Sequence, residues 1–265
     1  MIKLIACDMD GTLLDSKKRL PPDLHRVIAA LKERGTAFAV ASGRQYAALR
    51  RDMAAYAEEM LFICENGALV MQHDKPMIVD PIDPKDLPEI VGGMYGLEGI
   101  YPVVCRAEKA LIGRQSSPDF IHNSRMYYPA AELVDDLREH CCCGDVCKVA
   151  FFDEKDAQSH ELPMLKEKLG DRMSIILSGE HWVDVMKPGV HKGGAMRRLQ
   201  EKLGITRDEC MAFGDYLNDC ELLEAVGESY AMENAHPDLK KMARHIAPSN
   251  DDDGVMQVIR REFGL

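Results

Sequence analysis

The sequence lacks the long apolar runs, the positive charge and the internal repeats that would place it in several protein classes. No apolar stretch approaches the roughly 20 residues needed to span a bilayer, and the N-terminal run MIKLIAC is too short for a signal peptide. The net charge of −11 argues against nucleic acid or anionic lipid as the main partner, since both require a positive face. We therefore expect a cytoplasmic protein without a membrane or nucleic-acid partner.

The nine cysteines also lack the spacing of a disulfide framework, which favours reduced thiols in the cytosol. His140 and the segment CCCGDVC (141–147) resemble the beginning of a zinc site. No second clean pair of cysteines accompanies them, and adjacent cysteines point in different directions. We therefore interpret the Cys141–Cys147 cluster as buried or surface thiols rather than as a metal site.

Strand and helix patterns alternate at both ends of the 265-residue chain. Short apolar runs predict strands, and apolar residues at helical spacing predict helices. Strands are predicted at 4–7, 36–42, 61–64 and 210–215, and helices at 23–35, 44–60, 192–204 and 253–264. Strands separated by helices of this length predict right-handed crossovers and a mostly parallel sheet.

The middle of the chain has a less regular pattern. Residues 81–90 hold three prolines, and the next hundred residues mix the two kinds of element. The predicted elements there are a helix in 126–140, a strand at 148–153, a helix at 161–170 and a hairpin at 174–189. We predict an α/β fold with a Rossmann-like, mostly parallel sheet formed by 1–81 and 187–265, and an inserted α/β cap over 82–186.

Polar residues follow several predicted strands of the core. They are Asp8 and Asp10 after the first strand, Ser42 after the second, Asp215 and Asp219 after the strand at 210–213, and Lys192 at the start of a helix. Ligands of open parallel sheets bind at the carboxyl ends of the strands, so we expect these residues to converge. Several carboxylates together are costly without a cation, and oxygen ligands suit Mg²⁺.

The same edge of the sheet offers a phosphate site. Ser42 and Gly43 precede a helix, and they supply a hydroxyl and backbone N–H groups. Lys192 adds a compact positive charge that offsets the charge of a phosphate facing a carboxylate. A metal, a phosphate site, a lysine and a carboxylate nucleophile together indicate phosphoryl transfer through an aspartyl-phosphate.

The order of the motifs resembles the haloacid dehalogenase (HAD) superfamily. The matching motifs are DMDGT (8–12), SGR (42–44), KG (192–193) and GDYLND (214–219). Secondary signatures similar to those of the Cof-type branch, subclass IIB, are ENGA (65–68), MENA (232–235) and SNDDDG (249–254). The match covers nearly all of the predicted core, whereas the cap matches by position and size only.

The resemblance implies a role for each matching residue. Asp8 would be the nucleophile, and Asp10 the general acid–base that protonates the leaving oxygen and then activates water. Only the carboxylate of Asp8 is expected on the metal, because Asp10 would bind through its backbone carbonyl. The implied metal residues are Asp8, Asp10, Asp215 and Asp219, the last in the outer shell or as a direct ligand. The implied phosphate-binding residues are Thr12, Ser42, Gly43, Lys192 and Asn218. Arg44 and Asn66 would approach substrate or cap, and Tyr216 occupies a position where a small residue is frequent.

The predicted function is Mg²⁺-dependent hydrolysis of small phosphorylated metabolites, such as sugar phosphates, by a monomer or homodimer. A phosphomutase acting on a sugar phosphate would use the same nucleophile, and a non-catalytic metabolite-binding protein would use the same pocket. Against the latter, no catalytic position is lost. A receiver-type signalling domain is disfavoured because its acidic pair is adjacent in sequence. The sequence does not identify the substrate, because cap loops would select it.

Overall fold

A computed structural model describes residues 1–141 and 143–265, which form two compact units. The first unit comprises Met1–Ser42, Met53–Ile78 and His191–Leu265, and the second comprises Gly43–Asp52 and Val79–Val190. These boundaries lie a few residues from the predicted junctions, and they place 43–52 in the second unit rather than in the predicted core. Hydrogen bonds explain that placement, because Lys148 donates to the carbonyl oxygen of Gly43 and Arg51 donates to that of Met126.

The two units are built from strands and helices numbered in chain order. The strands of the described residues are β1 (Leu4–Asp8), β2 (Ala37–Ala41), β3 (Met60–Cys64), β4 (Leu69–Gln72), β5 (Lys75–Val79), β6 (Ile100–Arg106), β7 (Ala110–Gly113), β8 (Ala131–Val134), β9 (Val146–Asp153), β10 (Ser174–Gly179), β11 (Trp182–Met186), β12 (Cys210–Gly214), β13 (Glu228–Met232) and β14 (His245–Ala247). The α-helices are α1 (Leu24–Glu33), α2 (Tyr46–Asp52), α3 (Leu87–Met94), α4 (Pro118–Ser124), α5 (Glu161–Leu169), α6 (Lys192–Leu203), α7 (Cys220–Glu224), α8 (Pro237–Met242) and α9 (Gly254–Phe263). None of these helices combines the length and the apolar character needed to cross a membrane.

The first unit is organised around an eight-stranded sheet in the order β14-β13-β12-β1-β2-β3-β4-β5. All neighbouring pairs from β14 to β3 are parallel, and β4 returns antiparallel to β3. Every residue of β1, β3 and β12 is buried, as expected for the middle of a sheet covered on both faces. The predicted α/β fold with a mostly parallel sheet is therefore confirmed.

Helix α1 illustrates how the apolar spacing specifies this layered arrangement. Its buried residues are Leu24, Val27, Ile28 and Leu31, which fall on one face of a helix. The chain leaves the helix through Gly35, whose φ of +71° is readily accessible only to glycine. Helix α2 spans only Tyr46–Asp52, so it is much shorter than the helix predicted at 44–60.

The second unit contains a six-stranded sheet in the order β10-β11-β9-β6-β7-β8. Its neighbouring strands are antiparallel except for β7 and β8. One face of the sheet packs with α3 and α5 through residues that include Val91, Val149 and Leu165. Phe120 of α4 packs on the opposite face beside Ala150. Both faces of this sheet therefore carry apolar side chains.

The predicted helix over 126–140 is wrong. Residues Ala131–Val134 instead form β8, which pairs in parallel with β7, and a 3₁₀ turn follows at Leu137–His140. Pro129 explains part of the difference, because a proline disfavours helical backbone at the residue before it. Nearby, Cys141 is buried in the core of the second unit, whereas Cys142 lies outside the described residues. The absence of a metal at the Cys141–Cys147 cluster stays a prediction.

Glu161, at the start of α5, is a fully buried acid in the second unit. Its side chain is 0% exposed, and neither carboxyl oxygen has a hydrogen-bond partner among the described residues. Burial raises the pKa of Glu161 to about 8, and the nearby carboxylates of Asp153 and Asp184 act in the same direction. The folded unit therefore favours the neutral carboxyl group.

This burial predicts that Glu161→Gln stabilises the second unit at alkaline pH. The ordinary pKa of Glu161 is 4.5, so wild-type stability should fall as pH rises from there through about 8 and then level off. The variant should gain roughly 2–4 kcal/mol at about pH 9 and much less at about pH 5. Urea unfolding followed by fluorescence of Trp182, the only tryptophan, reports on this unit. Glu167→Gln, on the exposed side of α5, should change nothing; equal gains at both pH values would contradict the prediction.

Candidate active site

The predicted site residues of the first unit lie at the carboxyl ends of neighbouring parallel strands. Asp8 ends β1, and its register partner on β2 is Ala41, directly before Ser42. On the other side of β1, Cys7 is the register partner of Phe213 on β12, two residues before Asp215. Parallel register therefore brings three segments that are distant in sequence to one edge of the sheet.

Three carboxylates and one ammonium group meet at this edge. Each of Asp8, Asp215 and Asp219 offers an oxygen within 4.8 Å of the others. Lys192 Nζ lies 2.5 Å from Asp8 Oδ1 and 2.7 Å from Asp219 Oδ1, and its side chain is only 1% exposed. Three carboxylates and one ammonium leave two negative charges uncompensated in a largely buried site. A divalent cation would supply the missing charge.

The pKa values of these groups reflect both their burial and the excess of negative charge in the cluster. Burial raises the pKa of Asp8 to about 8 despite the contact with Lys192, and the charges of Asp219 and Asp215 add to the rise. Burial alone would lower the pKa of Lys192, but Asp219 and Asp8 outweigh it and raise that pKa. Burial also raises the pKa of Asp215. For Asp8, burial therefore outweighs the favourable contact with Lys192, and the neighbouring carboxylates add to its effect.

Both carboxylate oxygens of Asp219 are engaged by the protein. Oδ1 accepts from Lys192, and Oδ2 accepts from the backbone N–H groups of Asp215 (3.1 Å) and Tyr216 (3.3 Å). The side chain is fully buried. These contacts favour the outer-shell alternative for Asp219, which orients the segment carrying Asp215.

Lys192 is the first residue of helix α6, and the start of this helix positions the lysine in the cluster. The helix begins after His191, whose Nδ1 accepts from the N–H of Gly194 at 3.1 Å and so caps the N-terminus. Gly193 allows close packing, since a Cβ there would lie 2.0 Å from the carbonyl oxygen of Glu221 on α7. The side chain of His191 is half-buried, as its capping role requires.

The position of the loop after β1 depends on residues for which the sequence predicted no individual role. Gly11 has a φ of +83°, and a Cβ there would lie 2.3 Å from Asp215 Oδ2. Asn234 donates to the carbonyl oxygen of Gly11 (2.8 Å), and Asn250 donates to that of Leu14 (2.8 Å). These two asparagines belong to the MENA and SNDDDG segments, which were the only sequence signal for them. They hold the loop in place without touching the carboxylates.

Asp8 and Asp10 have different partners, although they are two residues apart. Asp10 Oδ1 accepts from Lys18 Nζ at 2.7 Å, and the Asp10 side chain is 39% exposed. The group of carboxylates around Asp215 includes Asp8 and not the side chain of Asp10. The predicted asymmetry, with only the Asp8 carboxylate on a metal, stays a prediction that this geometry favours.

The other predicted site residues of the first unit differ in their burial and in their contacts. Thr12 is buried and donates to Asp215 Oδ1 at 2.9 Å. Ser42 is buried, and its carbonyl oxygen accepts from the N–H of Asn66 at 3.1 Å. Asn218 and Tyr216 are exposed on the segment next to Asp215, and the ring of Tyr216 meets His236 edge-on at 5.8 Å.

Gly43 and Arg44 belong to the second unit. The carbonyl oxygen of Gly43 accepts from Lys148 at 3.2 Å, and Arg44 pairs with Asp52 at 3.0 Å. Lys148 is itself buried and forms an ion pair with Asp184, also buried, at 3.1 Å. The burial of Lys148 could not be predicted from the sequence, because a single lysine in a strand is ordinarily a surface residue.

Comparison with known proteins identifies the class to which this fold and this carboxylate cluster belong. A sequence model of the haloacid dehalogenase-like hydrolases matches residues 5–259, so the chain belongs to this family. The 5-amino-6-(5-phospho-D-ribitylamino)uracil phosphatase YbjI of Escherichia coli (strain K12) is 33% identical over 97% of this chain and 95% of its own length.

Solved structures agree with this assignment. The structure of SMU.1108c from Streptococcus mutans UA159 has a TM-score of 0.83 at 28% identity, with coverage of 100% of both chains. The HAD subclass IIB sugar phosphatase BT4131 has a TM-score of 0.77 at 20% identity and 99% coverage of each chain, which establishes a common fold. The predicted resemblance to the Cof-type branch and the predicted class, a HAD-type phosphatase, are confirmed.

The buried ion pairs of Lys192 predict a large loss of stability in Lys192→Met. Methionine fills a similar volume but leaves Asp8 and Asp219 as buried, uncompensated charges. The free energy of unfolding without divalent metal should fall by about 3–5 kcal/mol. Urea unfolding followed by circular dichroism measures this change. Lys202→Met, on the exposed face of the same helix, should cost about 1 kcal/mol or less. Similar losses in the two variants would contradict a special role for the buried ammonium group.

Proposed function

We propose that this chain is a Mg²⁺-dependent phosphatase of small phosphorylated metabolites in which Asp8 is the nucleophile. The observation that carries the proposal is the position of the Asp8 carboxylate. It ends a central parallel strand, lies 2.5 Å from a buried lysine, and is grouped with Asp215 and Asp219. The naming of YbjI as a phosphatase, at 33% identity and nearly full coverage, supports the same reaction.

The carboxylate cluster fits a magnesium ion. Two negative charges remain after Lys192 is counted, and hard oxygen ligands are those that Mg²⁺ prefers. Because the oxygens of Asp219 are engaged elsewhere, the side chains of Asp8 and Asp215 would hold the ion, together with the backbone carbonyl of Asp10 that the family resemblance implies. When bound, Mg²⁺ supplies the positive charge that lets an anionic phosphate approach an anionic nucleophile.

Asp8, Asp10 and Lys192 have different roles in the proposed reaction. An Asp8 oxygen attacks phosphorus, forming a carboxyl–phosphate bond as the bond to the leaving oxygen breaks. Asp10 gives a proton to that oxygen and afterwards takes a proton from the water that attacks the phosphorus of the aspartyl-phosphate. This attack breaks the carboxyl–phosphate bond, which restores the Asp8 carboxylate and releases inorganic phosphate. Its partly exposed carboxyl group can exchange protons with solvent. Lys192 offsets charge that accumulates on the phosphoryl oxygens.

The other predicted residues would bind and orient the substrate. Thr12, Ser42, Gly43, Asn218 and Lys192 remain the proposed phosphate-binding residues, and Arg44, Asn66 and Tyr216 the proposed contacts to the rest of the substrate. We propose that residues 82–186, which lie within the second unit, form the cap. We also propose that the protein is cytoplasmic and acts as a monomer or homodimer on sugar phosphates or similar metabolites. A specificity screen over phosphorylated metabolites would rank them.

The proposed nucleophile predicts that Asp8→Asn abolishes hydrolysis. An amide cannot form the carboxyl–phosphate bond, so release of phosphate from a generic monoester should fall by about 10³-fold or more. The assay is Mg²⁺-dependent phosphate release, with Asp252→Asn as a matched exposed control that should retain activity. Retained turnover in Asp8→Asn would contradict the proposed role of Asp8 as the nucleophile. Isomerised sugar phosphate in excess of released phosphate would instead identify a mutase.

The proposed metal site predicts a second effect that needs no turnover. Saturating Mg²⁺ should raise the melting temperature of the wild type by several degrees, because ligand binding to the native state adds stability. Asp215→Asn should lose most of this shift, whereas Asp252→Asn should keep it. Sodium chloride at the same ionic strength provides the control. An undiminished shift in Asp215→Asn would exclude the assigned ligand set.

A further inference from the structure

The second unit contains a pocket whose lining includes none of the residues of the carboxylate cluster. Its volume is about 260 Å³, and it lies between α4 and the neighbouring strands β9 and β11. The volume is below the roughly 300–1,000 Å³ typical of sites for drug-sized ligands, so only a small molecule fits. The residues that decide its character are Asp119, Phe120, Tyr127, Phe152, Glu154 and Trp182.

The rings of Phe120, Tyr127, Phe152, His181 and Trp182 line this pocket, and their contacts with one another have interplanar angles between 34° and 65°. Trp182 is the centre of the group: Phe152 lies 5.1 Å from it at 65°, and Tyr127 lies 5.7 Å from it at 61°. Phe120 is 6.2 Å from Trp182 at 45°. Walls that meet at such angles leave no parallel slot for a flat ring, but they suit a compact, rounded group.

The polar part of the lining contains two carboxylates beside the side chains of Asn123, Ser124 and His181. Asp119 and Glu154 are both exposed carboxylates, and no lysine or arginine lies among the residues that line the pocket. Glu154 is oriented by the hydroxyl of Tyr101, which donates to its Oε1 at 2.9 Å. The ring of Tyr101 stacks on that of Phe120, with 4.8 Å between the ring centroids. Tyr101 therefore contacts both the Glu154 carboxylate and the aromatic rings of the pocket.

We propose that this pocket binds a small organic ammonium ion. A cation over aromatic faces, with tryptophan the most favourable, is attracted by the ring quadrupoles, and two carboxylates add a negative potential. An anion would be repelled by the same carboxylates, and a neutral apolar molecule would gain nothing from them. The pocket belongs wholly to the second unit, so the proposal does not rest on the chemistry at Asp8.

The test uses choline as the probe and the full-length protein. Trp182 is the only tryptophan, so its fluorescence reports directly on the pocket. The neutral isostere 3,3-dimethylbutan-1-ol has the same shape without the charge, and sodium chloride controls for ionic strength. We expect a saturable fluorescence change with choline and affinity at least about tenfold weaker for the isostere. Equal affinity for both, or no saturable change with choline, would overturn the proposal.

Charge-removing variants make the test specific to the pocket. Glu154→Gln and Asp119→Asn should each weaken choline binding by about three- to fivefold, since partly exposed charge pairs are of modest strength. Glu139→Gln removes an exposed carboxylate of the same unit outside the pocket and should have no effect. Because these are surface substitutions, circular dichroism should show an unchanged fold. Equal weakening by all three variants would indicate general electrostatics and overturn the assigned site.

Discussion

The first unit depends above all on one buried ammonium group between two carboxylates. Lys192 Nζ contacts Asp8 and Asp219, at 2.5 and 2.7 Å, in a site that water barely reaches. Removing a partner from such a group is far more costly than losing a surface ion pair, so the start of α6, the end of β1 and the turn after β12 are fixed relative to one another. Since one lysine cannot balance three carboxylates, a bound divalent cation would supply the positive charge that this site lacks.

Hydrogen bonds from backbone and amide N–H groups hold the segments around this ion pair. Asp219 accepts from two backbone N–H groups, and Asn234 and Asn250 donate to carbonyl oxygens of the loop after β1. Gly11 lets that loop approach Asp215 more closely than any residue with a side chain could. Groups positioned in advance do not have to reorganise during a reaction, and this is how enzymes obtain most of their electrostatic stabilisation. The MENA and SNDDDG segments therefore have a structural explanation.

The sequence predicted the first unit better than the second. Buried parallel strands and amphipathic helices have strong periodic patterns, so β1, α1 and α6 were predicted within one or two residues of their observed bounds. β8 was missed because a short, half-exposed edge strand has little apolar periodicity, and its parallel pairing with β7 is a tertiary property. The contacts of Lys148, Asn234 and Asn250 were not predictable for the same reason, since each joins residues distant in sequence.

The proposed reaction requires that the carboxylate of Asp8 becomes phosphorylated during turnover. The most direct measurement is to quench the enzyme during turnover of a phosphate monoester, reduce with borohydride, and locate the product by peptide mass spectrometry. An aspartyl-phosphate is reduced to homoserine, whereas an unmodified aspartate is not. We expect homoserine at residue 8 only when substrate and Mg²⁺ are present. Homoserine at another aspartate, such as Asp10 or Asp215, would contradict it.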